Sequence, residues 1–183
     1  CSSLKSRLML NLDSENEGHF LVGCAGGMRV DCEFPAERRR WNGKLVSIHV
    51  SGVTGGHSGV EIQKQGANAN VVLGRVLYEL KKKADFTVVS VDGGLKDDAE
   101  SVDGVLPMTD VCGNAVITAL RTFPWGVQKM SKDMEGLVQT SLNPGILETK
   151  ADTVSLVFSV RSSVASEKEE LYDRLVCLTE SLG

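Results

Sequence analysis

Hydrophobic residues recur along the chain with two different spacings. A repeat of two residues predicts a strand, whereas a repeat of about 3.6 residues predicts a helix. The shorter repeat, or a short apolar run, predicts strands at residues 7–13, 19–23, 28–34, 44–50, 86–91, 136–142 with a continuation to 147, and 153–160. The longer repeat predicts helices at residues 70–83, 107–120 and 166–182. Both kinds of element are therefore expected in one chain.

Polar residues mark the ends of the predicted helices. Thr109 or Asp110 suits the N-cap of the second helix, because its side-chain oxygen can accept from free backbone N–H groups. Ser166 and Glu169 have the spacing of a capping box and predict the start of the last helix. Lysines at positions 81–83 close the first helix, where positive charge is favourable.

The order of elements predicts the fold class and a division of the chain. Residues 35–43, PAERRRWNG, show no periodicity and are interpreted as an exposed connector. The N-terminal part is then residues 1–43, and the main body is residues 44–183. After residue 43 the order is β-α-β-α-β-β-α, which favours an α+β two-layer sandwich with helices on one face of a mainly antiparallel sheet.

Composition excludes several classes of protein. The chain has 183 residues, 42% hydrophobic and 24% charged, and it contains no apolar run near the roughly 20 residues of a membrane span. A net charge of −4 gives no electrostatic case for binding nucleic acid. Five widely spaced cysteines fit free thiols in a reducing compartment, so a cytoplasmic protein is predicted. The chain begins with Cys1 rather than Met, which suggests an excised piece.

The segment GGHSG is the most unusual local feature. Glycines on both sides of His57 allow unusual backbone conformations and close approach of a ligand to the imidazole ring. A flexible turn with an incidental histidine explains the same residues equally well. A phosphate-binding loop is discounted, because the known glycine-rich spacings are absent.

Two further residues could bind charged groups. Asp13 ends an apolar run, where a carboxylate could bind a metal ion or, more commonly, form a turn. The chain has three histidines and no H-x-D or H-E-x-x-H spacing, so it cannot assemble a complete zinc site. Arg161 follows a strand and could hold a carboxylate or simply be solvated. Asn143 is interpreted as a turn residue before Pro144.

Three segments together resemble one family. They are LMLNLDSENEGHFLVGCAGG, GGHSGVEIQKQGANANVVLGRVL and PWGVQKMSKDMEGLVQTSLNPG. They look like the aminoacyl-histidine dipeptidases, the carnosinase-like Xaa-His dipeptidases of the M20 metallopeptidase family. The resemblance extends over nearly the whole chain.

The resemblance implies a fold and a function. The family has a catalytic domain with two divalent metal ions, expected to be zinc, and an inserted lid or dimerisation domain with a ferredoxin-like fold. Residues 1–43 would be a stub of the catalytic domain, and residues 44–183 would be the lid. By resemblance Asp13 matches a metal ligand, His57 matches the lid histidine that reaches the scissile carbonyl, and Arg161 holds the substrate carboxylate. A homodimer and a dipeptide substrate are also implied.

The chain departs from the family pattern in two ways. The remaining metal ligands and the Glu-Glu pair that supplies the general base are absent, so this chain alone is expected to be inactive and to bind no metal. The family segment N-A-I-P-R-E-A is not found after Leu95, so either a lid strand is missing or a stretch is left out between Asp98 and Ser101. A free-standing dimerisation or interaction module, without catalytic activity, remains the alternative function.

Overall fold

An antiparallel sheet forms one layer of the protein. The computed structural model describes residues 24–53, 62–64, 66–94 and 104–183. Within these residues the strands are β1 (Gly26–Pro35), β2 (Gly126–Met130), β3 (Val138–Thr149) and β4 (Thr153–Ser162). They lie in the order β1-β4-β3-β2, and every neighbouring pair is antiparallel.

Helices form the second layer. They are α1 (Ala69–Lys81), α2 (Asp110–Thr122) and α3 (Ala165–Leu182), with a 3-10 turn at Ile62–Lys64. Helix α3 packs against β1 and β4, α2 packs against β1, and α1 packs against α2. The predicted α+β two-layer fold with an antiparallel sheet is confirmed. No helix within the described residues is long and apolar enough to cross a membrane.

Alternation along β1 separates a core face from an open face of the sheet. Val30, Cys32 and Phe34 are buried, and the intervening residues of the strand are exposed. Phe34 contacts the ring of Phe123 at a centroid distance of 6.0 Å, and Phe123 stacks on Phe158 at 5.7 Å. Because β1 pairs along its length with β4, the sheet crosses the predicted division at residue 43.

The helix boundaries follow local capping chemistry for α1 and α2 but not for α3. Asn68 and Thr109 cap α1 and α2 by accepting from backbone N–H groups, as predicted for Thr109. The predicted capping box at Ser166 is wrong, because α3 already begins at Ala165 after Val164 and has no side-chain cap. The next acidic residue, Glu167, is bound instead to groups on β2 and β3.

Two predicted strands are wrong, and one strand was not predicted. Residues 44–50 form no ladder within the part of the chain that the structure describes, and Leu45 and Val46 are exposed because nothing described there pairs with them. Residues 86–91 are held by single contacts, including Met108 N–H to the Val88 carbonyl at 2.7 Å. Strand β2 was missed because its sequence, GVQKM, does not alternate. The strands predicted at residues 7–13 and 19–23 lie outside the described residues.

Candidate functional site

The open face of the sheet carries Arg161 between two small residues. The register places Gly27 of β1 directly beside Arg161 on one side and Ser141 of β3 beside it on the other. Directly opposed residues on one face lie about 5 Å apart at their Cβ atoms, so they decide what a central side chain can contact. Neither neighbour carries a charge.

The guanidinium group of Arg161 has no ion pair or hydrogen bond with any residue that the structure describes. Arg29 lies diagonally from it on the same face and is already paired with Asp31 at 3.0 Å. An unpaired guanidinium presents a planar set of N–H donors that matches a carboxylate or phosphate. Arg161, half-buried at the end of β4, is therefore a cation without a partner in the described part of the chain and is available for an anion.

Asn143 lies on the same face, although the sequence was interpreted as a turn at this point. The structure places it within β3, opposite Ser159. Its side-chain oxygen accepts a hydrogen bond from Asn68 Nδ2 at 2.9 Å. Sequence reasoning missed Asn143 because Pro144 follows it, yet the predicted continuation of the strand to residue 147 was a usable signal. The strand tolerates Pro144 because β2 pairs with β3 only as far as Leu142.

A group of amides and glycines supports this part of β3. Asn70 Nδ2 donates to the carbonyls of Pro144 at 3.2 Å and Gly145 at 3.3 Å, where the register of β3 shifts. Gly94 has φ of 109° and lies against the Gly145 carbonyl with no room for a Cβ atom. Segments far apart in sequence therefore meet here and fix the backbone beside Asn143.

A groove of about 290 Å³ continues along the open face away from Arg161. Its lining includes Arg29 and Lys150 together with the acidic residues Asp31 and Glu33. Lys150 and Glu33 approach each other at 3.5 Å. Glu148 also lines the groove, so three acidic side chains face two basic ones. The charge of the groove therefore does not favour an anion, in contrast to the surroundings of Arg161.

Glu167 of α3 accepts hydrogen bonds from three side chains of the sheet. Its carboxylate accepts hydrogen bonds from Lys129, from the Thr140 hydroxyl and from Gln139 Nε2. These donors, the lysine first, lower the pKa of Glu167 from 4.5 to about 2. A carboxylate that is ionised and occupied in this way ties α3 to the sheet and is a poor general base.

The other predicted site residues, His57 and Asp13, lie outside the described residues. Within the described part of the chain, no group of three or more histidine, cysteine, aspartate or glutamate side chains could hold a metal ion. These residues therefore do not fit a dinuclear metal centre by themselves. Of the predicted site, Arg161 is the residue whose position the structure gives.

Comparison with known proteins finds similarity to the same family that the three sequence motifs resemble. No protein-family model matches the chain. The cytosol non-specific dipeptidase of Escherichia coli (strain K12) is 26% identical to it over 228 residues, a match that covers 98% of this chain. The crystal structure of aminoacylhistidine dipeptidase from Vibrio alginolyticus matches 100% of the chain, with a TM-score of 0.79 and 25% identity. The resemblance to the aminoacyl-histidine dipeptidases is confirmed.

The chain spans less than half the length of these dipeptidases, 46% of the first and 47% of the second. The sequence match to the E. coli dipeptidase runs over 228 residues, which exceeds the 183 residues of this chain. The E. coli dipeptidase therefore has positions within the matched region that this chain lacks. The match does not locate these positions, so a missing lid strand or a stretch left out between Asp98 and Ser101 stays a prediction.

Proposed function

We propose that this chain is the lid of a metal-dependent dipeptidase that hydrolyses Xaa-His or other dipeptides. The proposal is carried by one observation: nearly the whole of this chain matches dipeptidases, and Arg161 on the open face of its sheet has no partner among the described residues. This chain lacks the Glu-Glu pair that supplies the general base in the family, so in this proposal the general base comes from residues outside the chain.

Arg161 binds the C-terminal carboxylate of the substrate in this proposal. Two parallel N–H donors of the guanidinium group can hold both carboxylate oxygens, which fixes the direction of the peptide as well as its charge. Gly27 and Ser141, the residues opposite Arg161 on the neighbouring strands, carry no charge that would compete with the carboxylate. A site that holds the terminal carboxylate near the cleaved bond favours short peptides.

His57 donates a hydrogen bond to the oxygen of the scissile carbonyl as negative charge develops on it. The support for this role is the GGHSG motif and its match to the family pattern. Removal of one such donor usually costs about 3 to 4 kcal/mol of transition-state stabilisation, or roughly 100- to 1000-fold in turnover. In the proposed homodimer this histidine can act on the neighbouring subunit.

Asp13 is the residue of this chain that we assign to the metal centre. Two divalent ions, zinc in this proposal, polarise the peptide carbonyl and lower the pKa of a bound water when they are present. One carboxylate is too few for a stable zinc site, since three or more protein ligands are usual. We expect the chain alone to bind zinc weakly in calorimetric titration, and tight stoichiometric binding would contradict the assignment.

The His57→Ala variant of the full-length protein tests the proposal. Turnover of a dipeptide should fall roughly 100- to 1000-fold while the metal content stays unchanged. His49→Ala is the matched control, because His49 is exposed and bonded to the nearby Ser47 hydroxyl at 2.9 Å. Unchanged turnover in the His57 variant would remove this residue from the mechanism.

A free-standing interaction module is the second candidate. Exposed apolar side chains at Leu45, Val46 and Ile48 favour it, since such a cluster suits a protein interface. In sedimentation equilibrium, Val46→Lys should separate subunits if this segment forms the dimer contact. Full-length protein without dipeptidase activity under metal-loaded conditions would favour the module over the enzyme.

A cytosolic location belongs to the proposal. Its support is the name of the E. coli relative, a cytosol dipeptidase, and the free state of the four described cysteines, Cys24, Cys32, Cys112 and Cys177. Fractionation of cells that express the full-length protein would check it.

A further inference from the structure

The side chain of Asn68 has one defined orientation, which is set by the start of α1. Its Oδ1 accepts a hydrogen bond from the backbone N–H of Val71 at 3.1 Å. A backbone N–H can only donate, so the oxygen of the Asn68 carboxamide must face the helix. The NH₂ group of Asn68 must then face the other way, toward β3.

The same reasoning also defines the orientation of the Asn143 carboxamide. Asn68 Nδ2 donates to the Pro144 carbonyl at 2.9 Å and to Asn143 Oδ1 at 2.9 Å. Because the NH₂ group can only donate, Asn143 must present its oxygen to Asn68. The NH₂ group of Asn143 is therefore directed away from Asn68, on the side of Gly145, and no hydrogen bond from it to another described residue is found.

Asn143 and Arg161 are neighbours on the open face. Ser141 lies opposite Arg161 and Asn143 lies opposite Ser159, so residues 143 and 161 are diagonal on adjacent strands. Diagonal neighbours on one face are within reach of a common ligand when one side chain is long. Asn143 therefore adds a neutral donor beside the unpaired cation.

We propose that Asn68 is a positioning residue, which orients the Asn143 carboxamide so that its Nδ2 donates, together with Arg161, to the substrate carboxylate. This inference rests on the proposed function of Arg161. If the Asn143 carboxamide were reversed, its oxygen would face the carboxylate and repel it. The hydrogen bonds from Val71 through Asn68 set the favourable orientation before the substrate binds, so binding requires no reorganisation of the amide.

The Asn68→Asp variant of the full-length protein tests the orientation. Aspartate keeps the N-cap oxygen for Val71 but replaces the NH₂ donor with a second oxygen. Asn143 must then turn its own NH₂ group toward residue 68 and present its oxygen to the substrate. KM for a dipeptide should rise about 10-fold or more with little change in kcat, because a hydrogen bond to a charged group is lost. KM for the corresponding C-terminal amide should not change.

The Asn68→Ser variant is the matched control for the cap. Serine also caps α1 but does not force Asn143 to turn, so KM should rise less than in Asn68→Asp. If KM rose equally in both variants, the cause would be a general disturbance of the site and not the orientation of Asn143. That result would overturn the inference. If Asn68→Asp fails to unfold cooperatively, the serine variant takes its place in the cycle that follows.

A double-mutant cycle with Asn143→Leu separates this inference from the proposed function. Once Asn143 is leucine, the change at Asn68 should have no further effect on KM. Additive effects would show that Asn68 does not act through Asn143. If Arg161→Ala raises KM and Asn143→Leu does not, the inference fails and the proposed function stands. If neither changes KM, the proposed function fails as well.

Discussion

Gly74 of α1 lies directly against the backbone of Leu120 in α2. A Cβ atom on residue 74 would lie 2.7 Å from the carbonyl carbon and oxygen of Leu120, closer than real Cβ contacts. The two helices could accommodate a methyl group only by moving apart. Gly74→Ala should therefore lower the free energy of unfolding by about 1 to 3 kcal/mol in urea denaturation.

Gly113→Ala is the control for this prediction. Residue 113 is also inside a helix, but its added Cβ would meet Val88 at an ordinary distance of 3.6 Å. Alanine is the better helix former by about 1 kcal/mol, so this variant should be neutral or more stable. A stabilising effect of Gly74→Ala would show that α1 and α2 are not in such close contact.

Stability should depend on Glu167 in a definite pH range. Its pKa of about 2 in the folded protein lies below its ordinary value of 4.5, so the ionised form stabilises the fold. That stabilisation is complete above pH 4.5 and is lost as the pH falls from 4.5 toward 2. Glu167→Gln should be less stable than the parent protein at pH 7, and the difference should shrink over this range in urea denaturation.

Glu169→Gln removes the same charge two residues along α3 as a control. Glu169 is exposed and forms no ion pair with the residues that the structure describes. The free energy of unfolding of Glu169→Gln should differ little from that of the parent protein at every pH. A Glu167→Gln difference that did not change with pH would argue against the contacts with Lys129 and Thr140.

Arg38 should contribute strongly to stability, although its segment looks like an exposed connector in the sequence. Its guanidinium group donates to the carbonyls of Val89 at 2.5 Å and Leu106 at 3.0 Å, and also to Lys150 at 3.2 Å and Ala151 at 3.3 Å. A lysine has one nitrogen and cannot reach all four acceptors. Arg38→Lys should lower the free energy of unfolding by about 1 to 3 kcal/mol.

Arg40→Lys is the matched control, since Arg40 is exposed two positions away. In chemical denaturation, Arg40→Lys should have the same free energy of unfolding as the parent protein. If both substitutions were equally neutral, the contacts of Arg38 with the backbone would not matter for stability.

Arg161→Ala should raise KM of the full-length enzyme for dipeptides by about 10- to 100-fold, because a charge-assisted contact with the carboxylate is lost. Steady-state kinetics with a dipeptide and its C-terminal amide measure the effect, and only the dipeptide should be affected. Arg29→Ala is the control on the same face, since Arg29 is paired with Asp31. An equal loss for both substrates would indicate a role other than carboxylate binding.

The elements with strong local signals were predicted well. The helix predicted at residues 70–83 is α1, and Thr109 caps α2 as expected. The strands predicted from residues 136 and 153 form the antiparallel pair β3 and β4. These elements depend on side-chain periodicity, on capping and on a short connection, all of which lie within a few residues of one another.

Elements that need distant partners were predicted poorly. The alternation of Val46 and Ile48 is that of a strand, but a strand also requires a neighbour for its backbone, and the described residues supply none there. The opposite error occurred at β2, which has no alternation and is a strand because it pairs with β3. Both errors arise because hydrogen bonds between strands are not encoded in the local pattern.

The sequence by itself determined the fold class, the family resemblance and the choice of Arg161 as a residue to consider. Only the tertiary structure decided that Arg161 lacks a partner among the residues it describes and that Asn143 is its diagonal neighbour. It alone also decided that Asn68, 75 residues away from Asn143, orients the amide of that residue. The physical reason is that side-chain chemistry belongs to each residue, whereas strand register and helix docking bring residues together from distant parts of the chain.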